Sequence, residues 1–507
     1  MELKVFRQAV QTCGTRWETR LELPVETELL VPDYQPAVFK IVKCLIEPVV
    51  LQNRVAGGRW QGEGYLRCTV YYQSDEAGCR LYRTEQKFSF EKTADLPEGQ
   101  FPEGPARLWG ELEYCNCRCV SEHRIDIRGA YILCAAALAV EQTELLTSLA
   151  DCGIEQRTMP LTGSQLAAAE EKTCTAETTI PLPGTGEAIL DISGLFTQQG
   201  ISVQNGQVEV KGTLSMQVCY RSPGVEELST RSRDVPVQQL LELPAAEGDA
   251  ALVWGEVLAC TLAAPENGES DPALTVTWRL HCEVWRPVTY MAVADAYSTL
   301  CETAVTRADC CLPQEPELLE ETIHVEVEDD LPDAEAEVRG CFLSLSAAQA
   351  VPGEDGVLHL QGKGTAHVLC ADARGELTCY DKPFTWQYGS WTVGPQELLP
   401  HVQAAVSRVS SGKTGARLRV EAELALTGGV LNTRTVQVVS EVALGEEFPD
   451  KADGPALYLY YAGAGERLFD IARRYHARAK DLAQANGLDP AQETTAQDAC
   501  LLIPAAL

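Results

Sequence analysis

The chain has 507 residues, 45% of them apolar and 22% charged, which is the composition of a globular protein and not of a disordered one. Its length predicts several domains, because one hydrophobic core rarely serves more than about 250–300 residues. The 73 acidic residues outweigh the 41 basic ones and give a net charge of −32, which argues against a surface for nucleic acid or anionic lipid.

The N-terminal stretch MELKVFRQAVQTCGTRWETR lacks the apolar run and the small-residue cleavage site of a secretory signal. The longest apolar run, residues 130–140, is about half as long as the ~20 residues that a membrane span needs. The sequence therefore predicts a cytoplasmic protein without a membrane span, in which the 20 cysteines are reduced when the chain is made.

One strand pattern recurs three times along the chain, starting at Gly64, Gly212 and Gly362, with spacings of 148 and 150 residues. In each copy every second residue is mostly apolar, which is the period of a strand with one buried face. Two further landmarks keep nearly the same step, namely VPD at 31–33 with LPD at 331–333 and WGE at 109–111 with WGE at 254–256. The sequence therefore predicts three copies of one unit of about 150 residues.

Each unit is predicted to be an antiparallel β sandwich or an open barrel. Polar residues such as Arg67 and Thr69 alternate with the apolar ones, so that one face of the strand is buried and the other is wet. Residues 143–150 and 164–172 lack this alternation, and we expect short helices or linkers between units there.

Cys115, Cys117 and Cys119 stand at alternate positions of one predicted strand and therefore share a face. They form either a small apolar stripe or a cluster of thiolates. The chain has no Cys-x-x-Cys, and no second pair of ligands stands near Cys115 and Cys119. The sequence therefore predicts buried reduced thiols and no metal site, although later cross-linking in an assembled shell stays open.

Enzyme motifs are weak in this sequence. Residues 411–414, SGKT, resemble the end of a phosphate-binding loop, but the position of its first glycine is Ser407 and an alternating strand follows it, which favours a hairpin turn. The seven histidines include no H-E-x-x-H, and the chain has no G-x-S-x-G. We expect no catalytic site and no cofactor; an enzyme with an unrecognised site remains an alternative.

The end of the chain has a different pattern. Residues 457–461 predict a short strand, and Gly463 and Gly465 permit a tight turn after it. One face of the following helix has the spacing i, i+3, i+4 and i+7, formed by Leu468, Ile471, Ala472 and Tyr475. A second helix is predicted from Ala479 to the Asn486-Gly487 stop, and a last strand around Leu501 and Ile503.

These patterns carry two resemblances. The strand G-x-L-x-M-x-V-x-Y, its acidic proline-containing lead-in and the downstream DAYST at 295–299 resemble the SPOCS domain of spore-coat assembly proteins in endospore-forming bacteria. The closing G-E-R-L-x-x-I-A-x-x-Y, L-x-x-x-N-x-L and L-x-I-P resemble a LysM module. Together they imply three SPOCS-like β sandwich or barrel units and a small βααβ LysM-like unit. The four ranges are 1–165, 166–315, 316–450 and 455–507.

The LysM resemblance implies a binding site, with two departures from the family pattern. Gly-Asp-Thr is usual where this chain has GER at 465–467, and glycine is usual at the position of Asp498. Both loops frame the groove that holds N-acetylglucosamine chains in glycan-binding modules, so these are either tolerated variants or signs of a protein partner. The expected partner-binding residues are Gly465, Glu466, Arg467, Phe469, Arg473, Arg474, Arg478, Asn486 and Asp498.

We expect the three helix arginines to face solvent and to bind carboxylates, with Phe469 as an apolar anchor unless it packs inside. The resemblance implies a non-enzymatic spore-coat scaffold that works in the mother cell, at the outer surface of the forespore. Its implied partners are the coat-base morphogenetic ATPase, bound through the LysM-like unit, and other coat proteins. The alternative is a peptidoglycan-binding protein of the cortex or cell wall, which would need export.

Overall fold

The computed structural model describes ten stretches of the chain. They are residues 2–74, 80–99, 101–182, 188–221, 228–263, 271–352, 357–391, 399–448, 457–489 and 493–504. Within them the chain is mainly β, and its strands pair in antiparallel sheets, which confirms the coarse fold prediction. None of the described helices is both long and apolar enough to cross a membrane.

Residues 4–150, the first β segment, form two sheets. The strands are β1 (Lys4–Leu30), β2 (Val38–Ala56), β3 (Arg59–Ser74), β4 (Leu81–Asp95), β5 (Arg107–Ser121) and β6 (Arg124–Ala150). One sheet has the order β1-β6-β5 and the other the order β2-β3-β4. Trp17 and Ile125 of the first sheet share a buried cluster with Leu66 and Tyr72 of the second, so the two sheets pack face to face.

Residues 154–298, the second β segment, repeat this order of pairing. The strands are β7 (Ile154–Thr179), β8 (Ala188–Gln204), β9 (Gln207–Arg221), β10 (Leu228–Leu241), β11 (Ala250–Ala263) and β12 (Ala273–Ser298). The sheets have the orders β7-β12-β11 and β8-β9-β10. Leu214 of β9 is fully buried between them, close to the Phe196 and Trp278 rings, whose centroids are 5.0 Å apart.

Residues 301–447, the third β segment, contain two shorter strands in place of each long strand that begins or ends the other segments. The strands are β13 (Cys301–Pro313), β14 (Glu317–Asp330), β15 (Glu337–Leu345), β16 (Gln349–Pro352), β17 (Leu358–Ala371), β18 (Leu377–Trp391), β19 (Leu399–Thr414), β20 (Arg417–Leu431) and β21 (Thr433–Glu447). One sheet has the order β14-β20-β19, and β17 pairs with β15, β16 and β18 in another. β13 and β21 pair in a two-stranded ladder, in which β13 leads into β14 and β21 follows β20.

The three glycines that mark the sequence pattern lie in the middle strands β3, β9 and β17. A methyl group would come within 2.2 Å of the Val49 carbonyl oxygen at Gly64, and within 2.6 Å and 2.3 Å of an aromatic ring at Gly212 and Gly362. Backbone or ring atoms of the neighbouring strand thus occupy the space of a side chain at all three positions. Glycine is needed there for close packing and not for turn formation.

The three segments pack on one another through a shared apolar cluster. Tyr71 belongs to the first segment, Leu190 to the second, and Leu369 to the third. The Tyr71 hydroxyl donates to the Leu190 carbonyl at 3.2 Å, and the Gln73 amide donates to the Gly375 carbonyl at 2.9 Å. The segments therefore meet through both apolar and hydrogen-bonded contacts.

A second meeting place is formed by the ends of the long ladders β1–β6, β7–β12 and β13–β21. Val10, Leu161 and Leu312 come from one ladder each, and they share a cluster with the buried Leu145 and Tyr290. Because each ladder buries part of its outer face against the other two, the strand ends are not exposed on both faces.

A buried charged group lies where the second segment faces the first. His281 Nδ1 lies 3.0 Å from a carboxylate oxygen of Glu171, and its Nε2 lies 3.8 Å from Glu256. Burial favours the neutral ring, but the two glutamates outweigh it and raise the pKa of His281. Next to it, Arg279 donates to the Leu51 carbonyl of the first segment at 2.5 Å.

The prediction of helices or linkers at residues 143–150 and 164–172 is wrong. Both stretches are strand, because residues 143–150 pair with β1 and residues 164–172 pair with β12. The apolar side chains Leu145 and Leu146 are buried in these contacts, and this overrides the local pattern. The unit boundary expected at 165/166 falls within β7, and the one at 315/316 falls between β13 and β14. Residues 411–414, interpreted from the sequence as a hairpin turn, are the last residues of β19, and the hairpin turn itself follows at residues 415–416.

Candidate functional site

Residues 457–504, the C-terminal unit, contain both described helices. Their elements are β22 (Leu457–Ala462), α1 (Leu468–Arg474), α2 (Ala479–Ala485) and β23 (Ala499–Pro504). β22 and β23 pair in antiparallel fashion, and the helices lie between them in sequence. Ile471 of α1, Leu482 of α2 and Ile503 of β23 are fully buried in one small cluster. Each of these short elements buries an apolar side against the others, because none of them is long enough to be stable alone.

Asn486 joins the second helix to the last strand. Its side-chain amide donates to the carbonyls of Leu482 and Leu502 at 2.8 Å each, and its Oδ1 accepts from the Leu502 amide at 2.6 Å. All of these hydrogen bonds lie within the unit. Asn486 therefore has a structural role, which differs from the partner contact that the sequence predicts for it.

The loop before α1 is held by Glu466. Its carboxylate accepts from the Tyr460 hydroxyl at 2.7 Å and from the Gly463 amide at 3.3 Å, and it pairs with Arg474 at 3.1 Å. The Tyr460 hydrogen bond is the main reason why the pKa of Glu466 is lowered. Gly465 has φ +82°, a backbone conformation that glycine adopts without strain.

The two loops that the LysM resemblance assigns to the groove lie side by side. The Ala464 amide donates to Asp498 Oδ1 at 2.8 Å, and the Thr495 hydroxyl donates to the Gly463 carbonyl at 2.5 Å. Asp498 therefore stabilises the first loop, while Arg467 is exposed at the start of α1.

The C-terminal unit docks on the second β segment, and we call the residues involved the docking contact: Asp295, Tyr297, Phe469 and Arg473. The buried Tyr297 donates its hydroxyl to the Ala477 carbonyl at 2.8 Å, and its ring meets Phe469 edge-on at 4.9 Å. Arg473 donates to Asp295 Oδ1 at 2.6 Å, and its guanidinium lies 5.7 Å from the Tyr297 ring centroid. Burial raises the pKa of Tyr297 above the ordinary value of a tyrosine, so its hydroxyl is protonated and donates.

Charged side chains of β7 and β13 also lie at the docking contact. Asp295 also lies 3.3 Å from Arg307 of β13, so its carboxylate is shared between the third segment and the C-terminal unit. At the start of β7, burial raises the pKa of Glu155 against the opposing charge of Arg478. Because the contact uses β7, β12 and β13, the C-terminal unit is docked where the second and third segments meet.

The predicted arginine face is not one exposed patch. Arg473 belongs to the docking contact, and Phe469 packs against Tyr297, which is the alternative in which Phe469 lies inside. Arg474 is 56% exposed but is paired with Glu466, and Arg478 is exposed at the start of α2. The helix pattern alone predicts a partner contact for these residues, whereas the β body occupies part of that face.

The exposed apolar residues of the unit lie on β22. Leu459 is 60% exposed and Tyr461 is 79% exposed, and they share a face because they are two positions apart. On the paired strand, Leu502 lies opposite Leu459 and the exposed Cys500 lies opposite Tyr461. We call Leu459, Tyr461 and Cys500 the β22 strip. The alternation in LYLYYA could have indicated it, because it places Tyr460 and Tyr461 on opposite faces.

Of the 18 described cysteines, seven are buried, nine are half-buried and two, Cys119 and Cys500, are exposed. Burial is therefore less complete than the sequence predicts. Cys79 lies outside the described residues, and so does the side chain of Cys13.

The comparisons with known proteins give no relative. No family model matches the chain, and no curated protein or solved structure matches it either. Proposals about its function therefore depend on the geometry above and on the sequence patterns.

Proposed function

We propose that this chain is a non-enzymatic assembly protein, built from three SPOCS-like β units and a LysM-like C-terminal unit. The common order of strand pairing in the three β segments supports the repeat, as do the glycines at equivalent places of the middle strands. The pairing also suggests new limits for the units. They are residues 4–150, 154–298 and 301–447, since each long first strand pairs with the last strand of the same segment.

The observation that carries the proposal is the two-sided C-terminal unit. One side is fixed to the β body by the docking contact, while the β22 strip faces solvent with two large apolar side chains. Exposed Leu and Tyr side chains that lie together are typical of a surface for a protein partner. A fixed unit would also present that partner to the rest of the assembly in one orientation.

The resemblance suggests the partner and the place. We propose that the unit binds the coat-base morphogenetic ATPase, and that the chain tethers other coat proteins at the forespore surface in the mother cell. The charge distribution is consistent with a separate binding role: residues 455–507 carry a net charge of −1, and the rest of the chain carries −31. A partner with an acidic surface would be repelled less by the unit than by the body.

Peptidoglycan binding is the second candidate. It is favoured by the two loops lying side by side, as a glycan groove requires. It is disfavoured by the long exposed side chain of Arg467 on one loop and by Asp498, whose carboxylate already accepts a hydrogen bond from the other.

The test uses the full-length chain in two assays, capture of the coat-base ATPase and sedimentation with purified peptidoglycan. We expect capture by the wild type and a loss of at least about tenfold, or about 1.4 kcal/mol, in a Leu459→Glu, Tyr461→Glu variant. Tyr34→Glu is the matched control, because Tyr34 is also highly exposed, at 85%, but lies in the first segment. Sedimentation without capture would replace the proposal by the glycan alternative, and capture that the double variant leaves unchanged would remove the β22 strip from it.

A further inference from the structure

Three thiols of the first β segment lie close together, although one of them is far from the other two in sequence. They belong to Cys44 of β2 and to Cys115 and Cys117 of β5, and their sulfur atoms all lie within 4.8 Å of one another. The Sγ atoms of Cys115 and Cys117 are 4.0 Å apart. We call these three residues the thiol cluster.

The fold explains why the thiols meet. β2 belongs to one sheet of the segment and β5 to the other, and all three cysteines pack against the core between the sheets. Cys44 pairs with Val70, and Cys117 pairs with Ile127; both partners are fully buried. The cysteines themselves are half-buried, so the thiol cluster lies at the rim of the core, where an ion can reach it from solvent.

The distance between the sulfur atoms of Cys115 and Cys117 fits a shared metal ion, and Cys44 Sγ lies within 4.8 Å of both. Two thiolates on one Zn²⁺ lie about 3.8–4.0 Å apart, because each Zn–S bond is about 2.3 Å long and the S–Zn–S angle is about 109–120°. The separation of 4.0 Å between the sulfurs of Cys115 and Cys117 agrees with this value. A disulfide would need its sulfurs about 2.05 Å apart, so the present arrangement is that of separate thiols.

We propose that the thiol cluster binds one Zn²⁺ through the three sulfur atoms of Cys44, Cys115 and Cys117. Soft thiolate ligands favour zinc over hard cations such as Mg²⁺ and Ca²⁺. A solvent molecule completes the tetrahedral site, and the thiol protons are released to solvent when the metal binds. The ion links β2 to β5 and so connects the two sheets of the segment.

Cys119 and one further group of residues are weaker candidates for metal ligands. Cys119 shares the strand of the cluster, but it is exposed and its thiol lies 3.1 Å from the Ser121 carbonyl oxygen. His367, Cys379 and Asp381 also lie close together, but both ring nitrogens of His367 already have hydrogen-bond partners, Ser344 and Asp381. The expectation of no metal site from the sequence missed Cys44, which is 71 positions before Cys115.

The experiment uses the full-length chain, kept reduced and free of oxygen and equilibrated with Zn²⁺. We expect one zinc per chain by elemental analysis after gel filtration. Cys44→Ser and Cys117→Ser should each lower the affinity for Zn²⁺ at least about 100-fold in competition with a chromophoric chelator, since even the loss of an outer-sphere partner costs 10–100-fold. Cys119→Ser is the matched control and should keep both the metal and its affinity.

A second measurement does not depend on the variants folding. Co²⁺ added to the wild-type chain should give thiolate-to-cobalt charge-transfer absorption that one equivalent of Zn²⁺ removes. A wild-type chain that binds neither metal would overturn the proposal. So would a disulfide between any two of the three cysteines in freshly made protein, or zinc that stays bound in a folded Cys44→Ser variant.

Discussion

Tyr297 is the residue whose replacement tests the docking contact most directly. Its hydroxyl donates to the Ala477 carbonyl, its ring meets Phe469, and only 3% of its surface is exposed. Tyr297→Phe removes one buried hydrogen bond and should cost about 1–2 kcal/mol. Tyr297→Ala also removes the ring from a cluster shared with the C-terminal core, and large aromatic-to-alanine changes cost about 3–5 kcal/mol.

Hydrogen–deuterium exchange of the full-length chain measures this cost locally. The C-terminal unit contains part of the cluster around Tyr297, so its amide protons exchange through openings that the loss of this contact favours. The energies above correspond to an acceleration of about 5- to 30-fold in Tyr297→Phe and of about 150- to 5,000-fold in Tyr297→Ala for peptides of α1 and α2. Peptides of β9 serve as the control, because that strand belongs to a different core.

Unchanged exchange of α1 and α2 in Tyr297→Ala would refute the reasoning, because the docking contact would then contribute nothing to the unit. An equal acceleration in β9 would also refute it, since the effect would then be global unfolding and not local release.

Three further results are expected. Leu214→Asp places an unpaired carboxylate in the core of the second segment and should lower the free energy of unfolding by several kcal/mol, more than Leu214→Ala does. Urea unfolding followed by tryptophan fluorescence measures this, and an unchanged urea midpoint would contradict the burial of Leu214. Because the pKa of His281 is raised in the folded chain, protonation of His281 stabilises the fold; this stabilisation is fully present below the ordinary pKa of 6.5 and is lost as the pH rises through the folded pKa. The free energy of unfolding should therefore fall with pH above 6.5, and this fall should be smaller in His281→Leu. An identical fall in the variant would show that another group titrates. A thiol reagent should react fastest with Cys119 and Cys500, and mass spectrometry that finds other described cysteines labelled first would overturn the exposure pattern.

The sequence predicts the middle strands of the three segments well, because their alternation is a local property. Gly64, Gly212 and Gly362 also mark positions where a side chain has no space, and such a requirement leaves a direct trace in the sequence. Residues 164–172 show the opposite case. SQLAAAEEK contains good helix formers, but its pairing with β12, more than 100 residues later, decides its structure.

The candidate sites could be predicted only in part for the same reason. The C-terminal helices follow from the spacing of apolar residues within about ten positions. The salt bridge between Arg473 and Asp295 joins residues that are 178 positions apart, and the thiol cluster joins residues of two different sheets. No local pattern specifies which residues meet across such distances, so the pattern of its own helix predicts a solvent-exposed Arg473.

The pairing of each long first strand with the last strand of its segment has a consequence for synthesis on the ribosome. Lys4 of β1 pairs with Ala150 of β6, 146 positions later. At about 5–20 residues per second, β1 waits about 7–30 s for its partner after leaving the ribosome. During that time a strand of 27 residues has free backbone donors and acceptors along both edges, which invites pairing with other chains. β7 of the second segment waits in the same way for β12, so the nascent chain needs protection at least twice, and a chaperone that holds extended strands should raise its yield in translation in vitro.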